Sequence, residues 1–347
     1  MYVKEIEHKG EWKEFVLHQS NTLFVQSPSY GDFYNQMKEG SWIFGLYNEN
    51  NELIAGFLVL STHARRGNFL YVPYGPVFDD SLMHGKKDFE SAFSTLVDFL
   101  KRFAKDNKYH FIRMSPFLED TAETRGAFLK AGFRDAPIHT LAEVTWILDL
   151  EKDQDSLLSA MNKNHRNLIR RCSREGVRVE MHTDDEALAR LNGMHTVVAK
   201  RHNFQRFSAK YISDEFHAFV QEGEVVIFEA YLPDGRLDSS AIVMFFGSMA
   251  NYRHSASLGL DKRLPTSYAV QWEVIKESMK RPMSKYNLWG IAPSGAPKDH
   301  PFHGITHFKK GFGGNQKNLV PCQDLPLSKF YWLTWGIETL RRIKRGF

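Results

Sequence analysis

Two stretches of the chain repeat one pattern of apolar and polar positions. Short apolar and aromatic runs bounded by turn residues predict strands at Trp42–Tyr47, Leu53–Ser61 and Phe69–Pro73, with a turn at Asn48–Asn51. Phe89, Phe93, Leu96, Leu100 and Phe103 then fall at helical spacing and predict a helix over Asp88–Ala104. A strand at Tyr109–Met114 follows, then a shorter helix that runs to Lys130 and stops at Gly132. The second half predicts strands at Glu224–Tyr231, Ser239–Phe246 and Asn251–Ser255, with a turn at Pro233–Gly235. A helix over Thr266–Met279, a strand at Tyr286–Trp289 and a short helix through Lys310, stopped by Gly311, complete it. Trp42 and Val225, Tyr71 and Tyr252, and Tyr109 and Tyr286 lie 183, 181 and 177 positions apart. Steady spacing of this kind predicts that one unit has been duplicated.

The fold class is therefore mixed α/β (α+β), in two tandem units. A meander followed by helix, strand and helix is similar to the plan of GNAT acyltransferases. The first domain is expected over 1–150 and the second over 151–315, opening after the strand Val144–Leu150. A strand near Asn318–Pro321 and a last helix from Ser328 exceed the repeat, so 316–347 is expected to complete the first domain.

Composition narrows the function classes. A 347-residue chain that is 42% hydrophobic has material for two cores. The net charge of +4 leans toward an anionic partner only where cations cluster. Cys172 and Cys322 are the only cysteines, which fits a reducing compartment and excludes a disulfide framework or a thiolate metal site. The N-terminus lacks an apolar signal core, and no run of about eighteen apolar residues offers a membrane span. A cytoplasmic monomer is expected, with peripheral contact at the inner face of the plasma membrane left open.

Four segments then appear in order: Gln26-Ser-Pro-Ser-Tyr30-Gly-Asp-Phe33; Tyr71-Val-Pro-Tyr-Gly75-Pro-Val77; the basic stretch Met161–Gly176; and Tyr286–Ile291 followed by Gly304-Ile305 and Phe308–Gly314. In these the chain resembles the Fem family (FemABX) of peptidoglycan-bridge aminoacyl and peptidyl transferases. The resemblance runs over nearly the whole chain. It departs at Ser115, where members often carry an acidic residue, and at Tyr34, where one branch has a lysine. Lys38, one helical turn on, is the candidate substitute. The short span between Gly176 and Phe207 leaves no room for the helical hairpin inserted in some members.

The resemblance implies attack by the amine of a peptidoglycan stem peptide, on a UDP-linked or lipid-linked muropeptide, upon the ester of an aminoacyl-tRNA. An ester is already activated, so the protein need only align the groups, accept a proton and stabilise an oxyanion. No cofactor is needed. The Arg/Gln-x-x-Gly-x-Gly/Ala loop that cradles coenzyme A pyrophosphate is missing from the sequence. An acyltransferase using coenzyme A or another donor, and a non-catalytic binder of anionic glycolipid or RNA, stay as rival readings.

The resemblance assigns catalysis to Lys309 and Phe308. Lys309 would hold a tRNA phosphate or the oxyanion, Phe308 would stack on the terminal adenine, and Gly311, Gly313 and Gly314 would let backbone approach the ligand. The bland alternative is a glycine-capped helix with a solvated lysine. Lys163, Arg166, Arg170 and Arg174 fall at i, i+3, i+7 and i+11 of a helix expected over Asp155–Arg174, opposite an apolar face of Leu158, Met161, Ile169 and Cys172. With Lys310 they are the candidate tRNA-binding cations, set against an ordinary solvated stripe. Lys38, Tyr74, Arg206, Tyr211, Tyr252 and His254 are the implied substrate-binding residues; a structural histidine is the alternative for His254. His300, His303 and His307 do not match a zinc-ligand spacing, so no metal is expected. Finally, Phe330–Arg345 joins a ring-rich front to the basic residues Arg341, Arg342, Lys344 and Arg345. It is read either as a membrane-surface segment or as Trp332, Trp335 and Leu340 packing on the first domain.

Overall fold

Apolar faces are buried against two separate sheets. The computed structural model describes all residues except 21, 65–66, 85, 203–204, 282, 298–299, 301 and 346–347. Asn203 and Phe204, shortly before Arg206, thus lie outside the described residues, as does the side chain of Arg345. One unit comprises 1–144 with 317–347, the other 145–316.

In chain order the first unit runs β1 (Tyr2–Glu5), α1 (Lys9–His18), α2 (Pro28–Gln36), β2 (Ser41–Tyr47), β3 (Leu53–Ala64), β4 (Gly67–Pro73) and β5 (Val77–Phe78). It continues through α3 (Lys86–Asp106), β6 (Phe111–Ser115), α4 (Ala122–Lys130) and β7 (Arg134–Asp135). The second unit opens on β8 (Val144–Asp149), α5 (Gln154–Ala160), α6 (Lys163–Arg174), β9 (Arg178–His182), α7 (Asp185–His202) and α8 (Ala209–Val220). Then come β10 (Val225–Tyr231), β11 (Leu237–Phe246), β12 (Met249–Ser257), α9 (Thr266–Lys280), β13 (Lys285–Gly290), α10 (His303–Lys310) and β14 (Asn315–Asn318). The chain ends in the first unit with β15 (Gln323–Pro326) and α11 (Tyr331–Arg345).

The two sheets repeat one arrangement. Their orders are β1-β2-β3-β4-β6-β15-β7, with β5 beside β3, and β14-β8-β13-β12-β11-β10-β9. An antiparallel meander (β2–β3–β4 or β10–β11–β12) is followed by a parallel neighbour (β6 or β13) and then an antiparallel one (β15 or β8). A parallel neighbour requires a crossover, which α3 and α9 provide. Phe93, Leu96 and Leu100 of α3 pack on Phe57, Val59 and Leu70, while Val270 and Val274 of α9 pack on Phe228, Val243 and Ala250.

Two expectations fail for local reasons. The helix expected over Asp155–Arg174 breaks at Met161–Asn162 into α5 and α6. Asn162 caps the new helix through its side chain, and the Arg166 guanidinium donates to the carbonyls of Ser159 and Met161 at 2.6 and 2.8 Å. The strand expected near Asn318–Pro321 is replaced by β14 and β15 on either side. There the Leu319 and Val320 amides donate instead to Glu143 and Leu118, and Pro321 has no amide to donate.

Gln26 staples the first unit from within. Fully buried, it donates to Pro73 O at 2.5 Å and accepts from the Leu58 amide at 2.7 Å, while its own carbonyl accepts from Trp12 Nε1. Across the same sheet Arg113 stands opposite Asp324 and forms a bidentate pair with it, both bonds 2.7 Å. Its remaining donors reach Glu338 of α11 at 2.8 and 3.2 Å, and the Tyr331 hydroxyl donates to Asp324 at 3.2 Å.

Breaking a buried ion network from one side leaves charges without partners. Arg113→Leu is therefore expected to destabilise the first unit by about 3–5 kcal/mol, seen as a lower urea midpoint. An unchanged midpoint would show that the two carboxylates find water instead.

Candidate active site

Phe308–Gly314 closes on its own chain. A Cβ on Gly311 would lie 2.0 Å from the His165 ring, so the ring occupies the space of the missing side chain. His165 Nε2 meets the Phe308 carbonyl at 2.9 Å, and the Asn162 amide donates to Gly311 O at 2.8 Å, so α10 is tied to the start of α6. Gly314, at φ +90°, would place a Cβ 2.4 Å from Ile147 O. Gly311 and Gly314 thus admit neighbouring protein, whereas a Cβ on Gly313 would meet Ala160 only at ordinary contact distance, 3.5 Å. Phe308 is half-buried, its ring 5.0 Å from Tyr268 and 5.1 Å from Phe312, so little of it is left to stack on a base.

Lys309 points another way. It is 7% exposed, and its Nζ donates to Gly290 O, at the end of β13, at 2.6 Å. Among the described residues no carboxylate is bonded to it, and burial pulls the amine down to about 7. The solvated helix-end lysine of the bland reading is thereby excluded.

On the sheet face covered by α7 and α8 a second cluster forms. The register of β12 against β11 shifts at Arg253, so Arg253 and His254 both reach Glu215 of α8 instead of pointing to opposite faces. Arg253 Nη2 and His254 Nε2 each donate to Glu215 at 2.8 Å. Burial works to raise this carboxyl, but Arg253 and His254 outweigh it and hold the group at about 2. Burial also lowers His254 and takes His195 down to about 4, with His254 and Arg206 adding to the effect on His195. His195 Nε2 donates to Ser255 O at 2.9 Å, leaving a buried Nδ1 without a partner among the described residues.

Phe207 links these groups to the surface. It stacks on Tyr211 at 4.7 Å and meets the His254 ring edge-on at 5.6 Å. The Arg253 guanidinium lies 5.4 Å from the Trp289 ring, and Trp289 adjoins the Gly290 carbonyl that holds Lys309. Arg206, Tyr211 and His254 therefore come together, in a run of contacts ending at Lys309. Glu215, His195 and Arg253 escaped the sequence reading, and Trp289 entered it only as part of the segment Tyr286–Ile291. A register shift on a strand leaves no compositional signal, and Glu215 sits in a helix that the apolar spacing did not reveal.

Other candidates go elsewhere. Tyr252 faces the opposite side of the sheet, toward α9, where burial raises its hydroxyl. Lys163, Arg170 and Arg174 are exposed on α6, while Arg166 is half-buried as the cap described above. Arg170 lies between two surface hollows of about 500 and 330 Å³, shared by Leu158. The exposed Lys310 extends its amine over the Trp146 ring at 5.2 Å. In the first unit Lys38 is exposed, but at φ +65° it lies past the end of α2 and not on its face. Tyr74 is a buried turn residue: its hydroxyl donates to Ala142 O at 2.8 Å and its amide to Ser115 O at 2.6 Å. Ser115 joins Thr140 at 2.5 Å, Tyr71 at 3.4 Å and Cys322 at 3.4 Å, and burial raises the Cys322 thiol to about 11, well away from a reactive thiolate.

Among the described residues no group of three His, Cys, Asp or Glu is placed to hold a metal ion. His303 Nε2 instead bonds the Pro297 carbonyl at 2.6 Å, and His300 Nδ1 accepts from the Phe302 amide.

The chain is 20% identical to the lipid II:glycine glycyltransferase of Staphylococcus aureus over 298 aligned residues, covering 65% of this chain and 70% of that protein. The crystal structure of FemX superposes with a TM-score of 0.83 at 18% identity, covering 97% of this chain and 100% of FemX. A tandem GNAT protein from the clavulanic acid biosynthesis pathway superposes with a TM-score of 0.53 at 10% identity, over 94% and 98% of the two chains. Two GNAT-like sheets in tandem are thus the shared fold. The sequence model of the FemAB family matches residues 8–146 and 237–338, and so reaches into both units. The chain belongs to the FemAB family.

Proposed function

We propose that this acyltransferase of the FemAB family carries an amino acid from aminoacyl-tRNA to the amine of a peptidoglycan-precursor stem peptide, with Lys309 as proton acceptor. The observation that carries the reading is the buried Lys309 amine, lowered to about 7 and reached from Arg206, Tyr211 and His254 through Trp289. The name of the Staphylococcus aureus relative, a glycyltransferase acting on lipid II, supports the substrate class.

Attack on the ester requires a neutral amine and a place for the proton it loses. As the amide C–N bond forms the ester C–O bond breaks, and the tRNA leaves as its ribose hydroxyl, taking a proton returned by Lys309. An ordinary lysine is protonated at pH 7 and cannot take the attacking amine's proton. Lys309 is divided between its two forms there, so it accepts the proton at little cost. Once charged, it lies beside the oxyanion and favours its formation. Arg206 and the Phe207–Tyr211 stack offer a cation and a ring surface to an anionic acceptor. Lys163, Arg170, Arg174 and Lys310 supply phosphate contacts for the tRNA, with α6 starting against the Lys309 segment.

Incubation with charged tRNA and either a nucleotide-linked or a lipid-linked precursor, read by product mass, tests the reaction. Absence of an added amino-acid mass on either acceptor removes the proposal.

Lys309→Met is expected to lower kcat by about 10²-fold or more. Lys309→Arg should not restore it, because guanidinium stays charged. In the wild type, kcat rises with pH through about 7. Rescue by arginine, with a flat profile, would make Lys309 a fixed cation.

Stability should respond in the opposite sense. The folded lysine titrates near 7 and the unfolded one near its ordinary 10.5, so wild-type stability from this group rises between those pH values. Below 7 the charged amine is held in a buried site. Lys309→Met is therefore expected to raise Tm by several degrees at pH 6, with the gain shrinking by pH 9. A gain independent of pH would mean the amine is solvated.

For the tRNA, Arg170→Gln with Arg174→Gln should weaken binding alike for different tRNAs and reduce the salt slope by roughly 1.5. Arg166→Gln should instead also lower stability, because it uncaps α5. An unchanged slope in the double variant would return α6 to an ordinary solvated face.

A further inference from the structure

Helices on the surface of water-soluble units turn their apolar stripe to the core, and α11 does the reverse. Its buried residues are Tyr331, Thr334 and Glu338, a polar row at i, i+3 and i+7. Half a turn round lie Trp332, Leu333, Leu340 and Ile343, which are 49%, 60%, 69% and 70% exposed. Phe330 extends this apolar patch at 63% exposure, stacked on His110 at 5.0 Å. Single exposed apolar residues are ordinary, but an aligned row of this kind is informative. Of the three residues expected to pack on the first domain, Trp335 is half-buried and Trp332 touches Arg134, while Leu340 stands in solvent.

The helix cannot roll to hide this row. Glu338 is held by Arg113 at 2.8 and 3.2 Å, and Tyr331 by Asp324 at 3.2 Å. Turning the apolar side inward would strip Arg113 of one carboxylate and put the other against hydrocarbon. The buried network therefore fixes the apolar face outward.

Cations frame it. The Arg134 guanidinium lies 4.6 Å from the Trp332 ring, and Lys329, Arg341, Arg342 and Lys344 are exposed. Glu338, the one acidic residue in Tyr331–Arg345, is buried. We propose that α11 seats the first unit on an anionic lipid bilayer. The helix lies in the interface plane, with Trp332, Leu333, Leu340 and Ile343 at the headgroup–acyl boundary and the cations on lipid phosphates. Charge selects this occupant over a second copy of the chain, since pairing two such faces would bring like cations together. No helix among the described residues is long and apolar enough to cross a membrane, so this is contact in the interface plane. The inference deepens the transferase reading and rests on it in one respect: a bilayer-bound enzyme meets a lipid-linked acceptor where that acceptor resides.

Sedimentation of the full chain with vesicles of phosphatidylglycerol and phosphatidylcholine, against phosphatidylcholine alone, tests it. Binding should require the anionic lipid, weaken with salt and shift tryptophan emission to the blue. The triple variant Trp332→Gln, Leu340→Gln, Ile343→Gln should lose about tenfold or more in vesicle affinity, and Arg341→Gln, Arg342→Gln, Lys344→Gln a similar factor together with the salt dependence. These exposed positions should leave Tm and transfer to a soluble nucleotide-linked acceptor unchanged, while transfer to a vesicle-embedded acceptor falls. No binding, equal binding to neutral vesicles, or a dimer abolished by the same triple variant would overturn the docking. Transfer without vesicle binding would sink the docking and keep the transferase, whereas vesicle binding with no transfer to any acceptor would do the opposite.

Discussion

The contact of His165 with Gly311 sets the rest of the candidate site. Any side chain at 311 would occupy the position of the imidazole, so α10 can approach α6 only because that residue is glycine. This approach brings the Phe308 carbonyl to His165 and turns Lys309 toward Gly290. A lysine so placed exchanges water for a single carbonyl, and the loss of solvation lowers its affinity for a proton. The steric fact at one glycine is in this way the cause of the chemical property two residues earlier.

Two other buried charged groups show how differently the fold uses ion pairs. Around Glu215, Arg253 and His254, the carboxylate keeps its charge because two donors share it, and the cluster opens through Phe207 to Tyr211 and Arg206. Around Arg113, Asp324 and Glu338 both carboxylates and all three guanidinium nitrogens are hydrogen-bonded inside the first unit. The effect of this network is one of orientation, since it holds the polar side of α11 down and leaves the apolar side in solvent.

Much of the fold is legible in the chain because its elements are long and locally consistent. Phe89, Phe93, Leu96 and Leu100 announce α3, and the repeated spacing announces a second sheet like the first. The break between α5 and α6 is not legible in the same way. Asn162 and Arg166 are acceptable inside a helix, and only the carbonyls of Ser159 and Met161 show that they serve as cap and clamp. Tyr252 and His254 were paired as candidates by the family resemblance, and a regular strand would send i and i+2 to one face. The register shift at Arg253 sends them to opposite faces, and the shift is a property of the pairing with β11.

The sequence by itself determined the two α/β units, the repeated run of meander, helix, strand and helix within them, the resemblance to a family and the segment that carries Lys309. Those follow from periodicity and from residue types at fixed offsets, which are local properties of the chain. Tertiary structure alone decided that Lys309 is buried, that Glu215, Arg253 and His254 form one cluster, and that α11 shows its apolar face to solvent. Burial and charge pairing depend on what a distant segment brings to the same place, as Arg113 meets Glu338 from 225 positions away. No local pattern encodes such a meeting, because the free energy of a buried charge is set by its neighbours in space.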